Sequence, residues 1–239
     1  MKNWKLYIIT ILMIALLGFL YGFAQHKSNE EKITKISVNF PEKHPDFISA
    51  ETVNKLLIQS DAGLLNKPKS LINLHQIEER VRMDQMIEQA QLYMTLDGVL
   101  QADVIERVPV ARVQKGEIAY YIDRQGARMP LSFNYAARVP LVTGAIDEKK
   151  EKEVFQLILK INKDPLYKKQ IIGYHIKENG DYLLSTRIGR HKILLGKMDH
   201  LDDKLKKLKI FYKKKWNSEQ MKIYKLINLK YKHQVVCSK

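Results

Sequence analysis

Apolar positions along this chain change their spacing from one stretch to the next, and each spacing predicts an element. Residues 6–24 carry no ionisable side chain except Tyr7 and Tyr21. Wound as a helix they would span roughly 28 Å at about 1.5 Å per residue, which matches a bilayer core. A cleaved leader has an apolar core of only about 7 to 15 residues, so the length favours a retained anchor. Trp4, Tyr7, Tyr21 and Phe23 lie near its ends, where interfacial aromatics belong. The next stretch alternates, with Ile36, Val38 and Phe40 on one face, and reads as a strand closed by Pro41. Ser49 caps a helix whose Glu51 sits near the positive end and whose stripe is Val53, Leu56 and Leu57. After a loop with Gly63 and Pro68, Asn73 and Gln76 form a second capping pattern, ahead of Leu74, Ile77, Val81 and Ile87 on a helix. Leu92, Met94 and Leu96 alternate, Asp97-Gly98 turns the chain, and Leu100, Ala102 and Val104 alternate again up to Glu106. The order is strand, helix, helix, strand, strand.

Residues 106–144 change character. Val104, Ile118, Tyr120 and Ile122 share one face and lead into the turn Asp123-Arg124-Gln125-Gly126, where Gly126 can take the positive φ that closes a hairpin before Met129-Pro130-Leu131. Pro109 donates no backbone hydrogen bond, so it belongs at a strand end or bulge, and it marks the joint between two folding units. Beyond Gly144, Asp147 caps a helix bearing Val154, Phe155, Ile158 and Ile161, which Pro165 ends. Residues 171–177 and 182–188 flank Glu178-Asn179-Gly180-Asp181, a strong hairpin signal. A short strand at 192–195 precedes a helix with Leu201, Leu205, Leu208, Phe211 or Tyr212, and Trp216 on its apolar stripe. A last strand at 224–236 sets Ile227, Leu229 and Tyr231 against Asn228, Lys230 and Lys232, so half of it should be wet.

Composition adds a charge asymmetry. Lys and Arg outnumber Asp and Glu by 41 to 26, a formal +15, and twelve lysines follow residue 200 against Asp202, Asp203 and Glu219. An anionic partner or surface is therefore in reach. Lysine-rich helix faces are ordinarily solvated, which is the first reading for 204–215; anionic lipid or wall polymer is the second. Nucleic acid fits poorly, because the basic residues follow a membrane anchor and interleave with no stacking motif. The single cysteine, Cys237, excludes an internal disulfide. The histidines show no ligand spacing, so no metal is expected, and no cofactor fingerprint or nucleophile elbow is present. Glu106 and Arg107 are neighbours on a strand and point to opposite faces, which argues against a catalytic pair. No enzyme activity is expected.

Glu106-Arg107-x-Pro109-Val110-Ala111-Arg112, followed by a strand, by the Asp123 to Gly126 turn and by Val139-Pro140-Leu141-Val142-Thr143-Gly144, resembles the bacterial cell-division family FtsQ/DivIB. Phe47-Ile48-Ser49-Ala50-Glu51 and Val53 resemble the start of the first helix of that family's POTRA module. Where many relatives carry Asn-Pro before the second strand, this chain has Asp84-Gln85. Near the end, Asn228-Leu229-Lys230-Tyr231 resembles a closing strand in which Asp-Leu-Arg-Tyr is frequent, with the acid and the arginine replaced.

The resemblance implies an α+β chain with a cytoplasmic tail at 1–5, a transmembrane helix at 6–24, a linker at 25–31, a POTRA-like domain at 32–107 and a β domain at 108–239. Lys2 and Lys5 nearly balance Lys27, Lys32 and Lys35 across the span, so the resemblance, more than the charge count, sets the amino terminus inside. It also implies a septal scaffold in the inner membrane with its bulk outside the cytoplasm. Its implied partners are FtsB-like and FtsL-like division proteins and septal wall synthesis proteins. Contact with the FtsB-like partner carries over to Lys230 and Tyr231, with Leu229 and Lys232 as neighbours. The rival class is an envelope assembly or transport module, which generally carries several POTRA domains or a membrane barrel.

Overall fold

The protein, described by a computed structural model over residues 4–30, 32–41, 46–60, 64–65, 67–189, 191–215, 223–232 and 234–239, divides into two compact units, Met1–Glu106 and Arg107–Lys239. The first opens with α1 (Trp4–Glu30), which continues through residues 25–30, where a linker was expected. Among the described residues no helix is long and apolar enough to cross a membrane. The described side chains of α1 are Trp4 and those of residues 7–23, so both ends of the predicted span lie outside them.

The rest of this unit is a three-stranded sheet. Strand β1 (Lys35–Asn39) lies parallel to β3 (Val99–Glu106), which pairs antiparallel with β2 (Ile87–Met94), and β3 is central. Helices α2 (Ala50–Ser60) and α3 (Leu74–Arg82) contribute Val53, Leu57, Ile77 and Val81 to a core with Ile33, Leu92, Leu100 and Ala102. Their caps are the ones the sequence predicts. Ser49 Oγ accepts from the Thr52 N–H at 3.1 Å, and Asn73 Oδ1 accepts from the Gln76 N–H at 3.1 Å. The second helix is shorter than its apolar pattern suggests. Ile87 is buried in β2 and not on α3, because Asp84 Oδ1 takes the Met86 N–H in a turn that diverts the chain.

The second unit is one nine-stranded sheet. Its strands are β4 (Pro109–Lys115), β5 (Ile118–Asp123), β6 (Arg128–Met129), β7 (Leu141–Gly144), β8 (Ile171–Ile176), β9 (Tyr182–Thr186), β10 (Lys192–Gly196), β11 (Leu226–Asn228) and β12 (Val236–Ser238). Their spatial order is β12-β11-β10-β9-β8-β7-β4-β5-β6. Helices α4 (Glu148–Asn162), α5 (Pro165–Gln170) and α6 (Leu201–Lys215) complete the unit. Val154, Leu157, Ile158 and Ile161 of α4 are all buried, which at about 1.5–3 kcal/mol per side chain outweighs the ~1 kcal/mol of the Asp147 cap. Packing of the apolar stripe therefore decides that helix. Pro165 ends α4 as predicted and also starts α5, since its missing N–H costs nothing at a first helical position. Tyr120 and Arg128 both bind Glu151 of α4, Arg128 through Nε and Nη2 at 2.8 Å. Burial and the Glu151 carboxylate together push the Tyr120 phenol up to about 12.

The closing strand departs from expectation. The predicted continuous strand at 224–236 is two short ones, β11 and β12, which pair antiparallel with Leu226 opposite Ser238. Lys230 N–H turns back to Asn228 Oδ1 at 3.0 Å, an Asx turn that ends β11. Trp216, expected on the stripe of α6, lies outside the described residues, as do Gly63 and Glu219.

Candidate functional site

The residues singled out in the joint resolve into two roles in two units. Glu106, at the end of β3, is buried, and its Oε1 accepts the Ile48 N–H at 2.8 Å just before α2. Arg107 belongs to the second unit, where Nη1 meets Asp123 Oδ2 at 2.7 Å. Asp123 is fully buried, and its Oδ1 accepts the N–H groups of Gln125 and Ala127 at 2.9 and 2.8 Å. That carboxylate is thus spent on an ion pair and on the backbone of the turn it opens. The two acidic residues organise loops, each in its own unit.

The other motif residues have steric reasons. Pro109 stands opposite Asp123 at a bulge that runs to Ala111, where a missing N–H does no harm. Val110 packs on the core and Ala111 lies within it. Arg112 is half-buried, and its N–H donates to the Pro140 carbonyl at 2.9 Å, aligning β4 with β7. Gly126 has φ +87, and a Cβ there would stand 3.0 Å from the Phe155 ring. Gly144, at φ +102, ends β7 where a Cβ would collide with the Ile176 carbonyl.

The second cluster gathers around β11 and β12. Leu229 is fully buried, its N–H donates to the Leu194 carbonyl at 2.9 Å, and so it offers core and not surface. This corrects its expected place beside the contact residues. Tyr231 is 49% exposed and Lys232 is exposed. Lys230 reaches Asp181 Oδ2 at 3.0 Å, so the charge lost at Asn228 is replaced from the β8–β9 hairpin. Beneath the loop, Lys207 of α6 donates Nζ to the carbonyls of Leu229, Tyr231 and Lys232 at 3.4, 2.5 and 3.3 Å. Sequence reasoning missed Asp181 and Lys207, since neither lies near Lys230 in the chain. The one signal available was Asn179-Gly180-Asp181, which places a carboxylate at a hairpin end.

Lys204 departs from the solvated reading of the lysines at 204–215. It is buried, and its Nζ binds the Lys197 carbonyl and Asp199 Oδ1 at 2.8 and 3.0 Å. Lys206, Lys213 and Lys214 are exposed. His191 is buried against Tyr212 Oη at 2.7 Å, and its desolvation lowers the imidazole below its ordinary value, so it stays neutral. Among the described residues no three His, Cys, Asp or Glu side chains are placed to hold a metal.

Asp181 makes the cluster sensitive to acid. Burial alone would raise its carboxyl, but hydrogen bonding and charge from Lys230, with Asn179 and Lys197, hold it below the usual carboxylate range. A depressed folded value means that the pair contributes fully above the unfolded value of about 3.9 and is lost as pH falls through the folded one. Asp181→Asn should therefore cost about 1–3 kcal/mol near neutrality. The difference from the parent should shrink towards pH 2 in denaturant titrations at stepped pH. A gap of constant size across that range would contradict the ion pair.

Residues 108–238 match the family model described as FtsQ/DivIB, C-terminal related, and residues 32–105 match that of a POTRA-like domain. No curated protein matches the chain.

Proposed function

Since this chain belongs to the FtsQ/DivIB family, a cell-division family of non-catalytic scaffolds, we propose that it links FtsB-like and FtsL-like proteins at the septum and helps recruit wall synthesis there. The observation that carries this reading is the end of the nine-stranded sheet. Strand β12 is outermost, no described strand lies beyond it, and exposed Tyr231 stands in the adjoining loop. A partner segment can add to such an edge as a tenth strand, its backbone supplying affinity and its side chains register. The rim thus lies at 236–238, with Lys230, Tyr231 and Lys232 beside it.

In this reading the POTRA-like part precedes the β domain, with Arg107 already on the β-domain side of the joint, and α1 is a single-pass anchor in the inner membrane with its amino terminus inside. At about 100° per residue Ile8, Ile9, Ile11, Ile14 and Leu17 are spread around the whole circumference of α1, all exposed, and none joins either core. A helix apolar on every side belongs in lipid or a deep core. Confinement to a plane raises the effective concentration of other anchored proteins, so modest contacts accumulate into assembly. The exposed lysines of α6 form a solvated face first, with weak contact to anionic lipid or wall polymer as the second reading.

Tyr231→Ala tests the site, because its side chain supports no buried core. Capture of a tagged FtsB-like partner should fall about tenfold or more, as for an aromatic hot spot worth about 2 kcal/mol. Circular dichroism should stay unchanged. Full capture by this variant would remove Tyr231 from the site. Depletion with imaging separates the classes: filaments and a midcell band support the scaffold, and normal division with a leaking envelope supports the transport module.

A further inference from the structure

The three-stranded sheet of the first unit ends on β2, and β2 is an edge that lacks ordinary protection. Exposed strands are usually guarded by lysine, proline or brevity. Strand β2 has eight residues, Ile87-Glu88-Gln89-Ala90-Gln91-Leu92-Tyr93-Met94, with no Lys or Pro and one charge at its start. Its register irregularity lies between Ile87 and Gln89, so the stretch from Ala90 to Met94 is regular. Thr95 N–H bonds the Val99 carbonyl across the hairpin. Alternation along an antiparallel ladder then turns the N–H of Leu92 outward, away from β3.

That outward N–H is occupied by a side chain. Glu78, on α3, places Oε1 at 2.6 Å from Leu92 N, and His75 Nδ1 stands 3.8 Å from its other oxygen. A carboxylate carried by a neighbouring helix thus takes the central position at which an added strand would bond. We propose that Glu78 is a guard on this edge, and that its removal lets β2 pair antiparallel with β2 of a second copy of the chain.

The second copy is the occupant that the strand itself suits. Gln89, Gln91 and Tyr93 are its exposed side chains, uncharged and able to pair with their own kind across a two-fold axis. Antiparallel pairing sends the two Glu88 residues to opposite ends, so no like charges meet. Such a contact is isologous and closes at two chains.

The test uses the full chain in detergent micelles and sedimentation. Glu78→Ala should raise the dimeric fraction, with the dimerisation constant strengthened about tenfold, the scale of one freed hydrogen-bonding group. Glu78→Gln retains a carbonyl oxygen for Leu92 and should behave as the parent. Adding Gln91→Lys and Tyr93→Lys to Glu78→Ala places lysines around the axis and should return the parent distribution. An unchanged distribution for Glu78→Ala overturns the proposal, and so does association that survives the two lysines. Faster exchange of the Leu92 amide in the lysine-bearing variant supports the guard; exchange as slow as in the parent overturns it.

Discussion

Alanine at position 144 should lower the melting temperature of the second unit by about 10 °C or more. Two costs add there. Gly144 has φ +102, where an L residue is strained, and an added Cβ would stand 2.0 Å from the Ile176 carbonyl oxygen. That oxygen cannot step aside, because it accepts the Ala145 N–H at 2.9 Å and Ile176 is the register partner of Gly144. Strain of this kind costs about 1–3 kcal/mol before the collision is counted. Several kcal/mol in a unit of this size moves the transition by about 10 °C. Gly116 supplies the comparison: it also has positive φ, +59, with nothing within 4 Å of a Cβ. Gly116→Ala should cost only about 1 kcal/mol. Calorimetry on both variants checks the argument, and equal shifts would refute the collision.

Asp123→Ala should be comparably severe, at about 3–5 kcal/mol. It strips the partner from Arg107, which is only 19% exposed, and abandons two backbone N–H groups of the turn. Arg107→Ala should approach that loss by leaving a fully buried carboxylate unpaired. Asp123→Asn keeps an oxygen for Gln125 and Ala127 and forfeits the charge, so about 1.5–3 kcal/mol is expected. Denaturant unfolding of the single and double alanine variants measures the coupling. Losses that simply add would show that the pair does not act as a unit.

These two sites also show what was legible in the chain. Gly126 and Asp123 could be read as a turn because the chemistry of a turn is local: the glycine supplies φ and the aspartate caps amides two and four residues on. The caps at Ser49, Asn73 and Asp147 were legible for the same reason. Lys230 pairing with Asp181, and Lys207 reaching under the loop, bring together residues far apart in sequence, and no periodicity encodes that. The final strand was overread, since alternation persists through Tyr231 while the ladder ends at the Leu229 N–H, where the Asx turn of Asn228 takes the next amide. Ile87 failed in the opposite sense, its apolar side fitting a helix stripe or a buried strand equally well. An edge at the terminal strand was conceivable, but its place at 236–238 was not legible, because alternation specifies which side of a strand is buried and not where its neighbours lie.

Strand β7 is only four residues long, yet it lies parallel between β4 and β8 and carries the sheet ladder from the β4-β5-β6 meander to the β8-β9-β10 meander. Each meander is built from contacts close in sequence and can form early, whereas the seam must close a loop across α4 and α5 before any ladder bond repays it. The β4–β7–β8 seam is therefore expected to close later than either meander, with Arg112, Pro140 and Gly144 at the stitch.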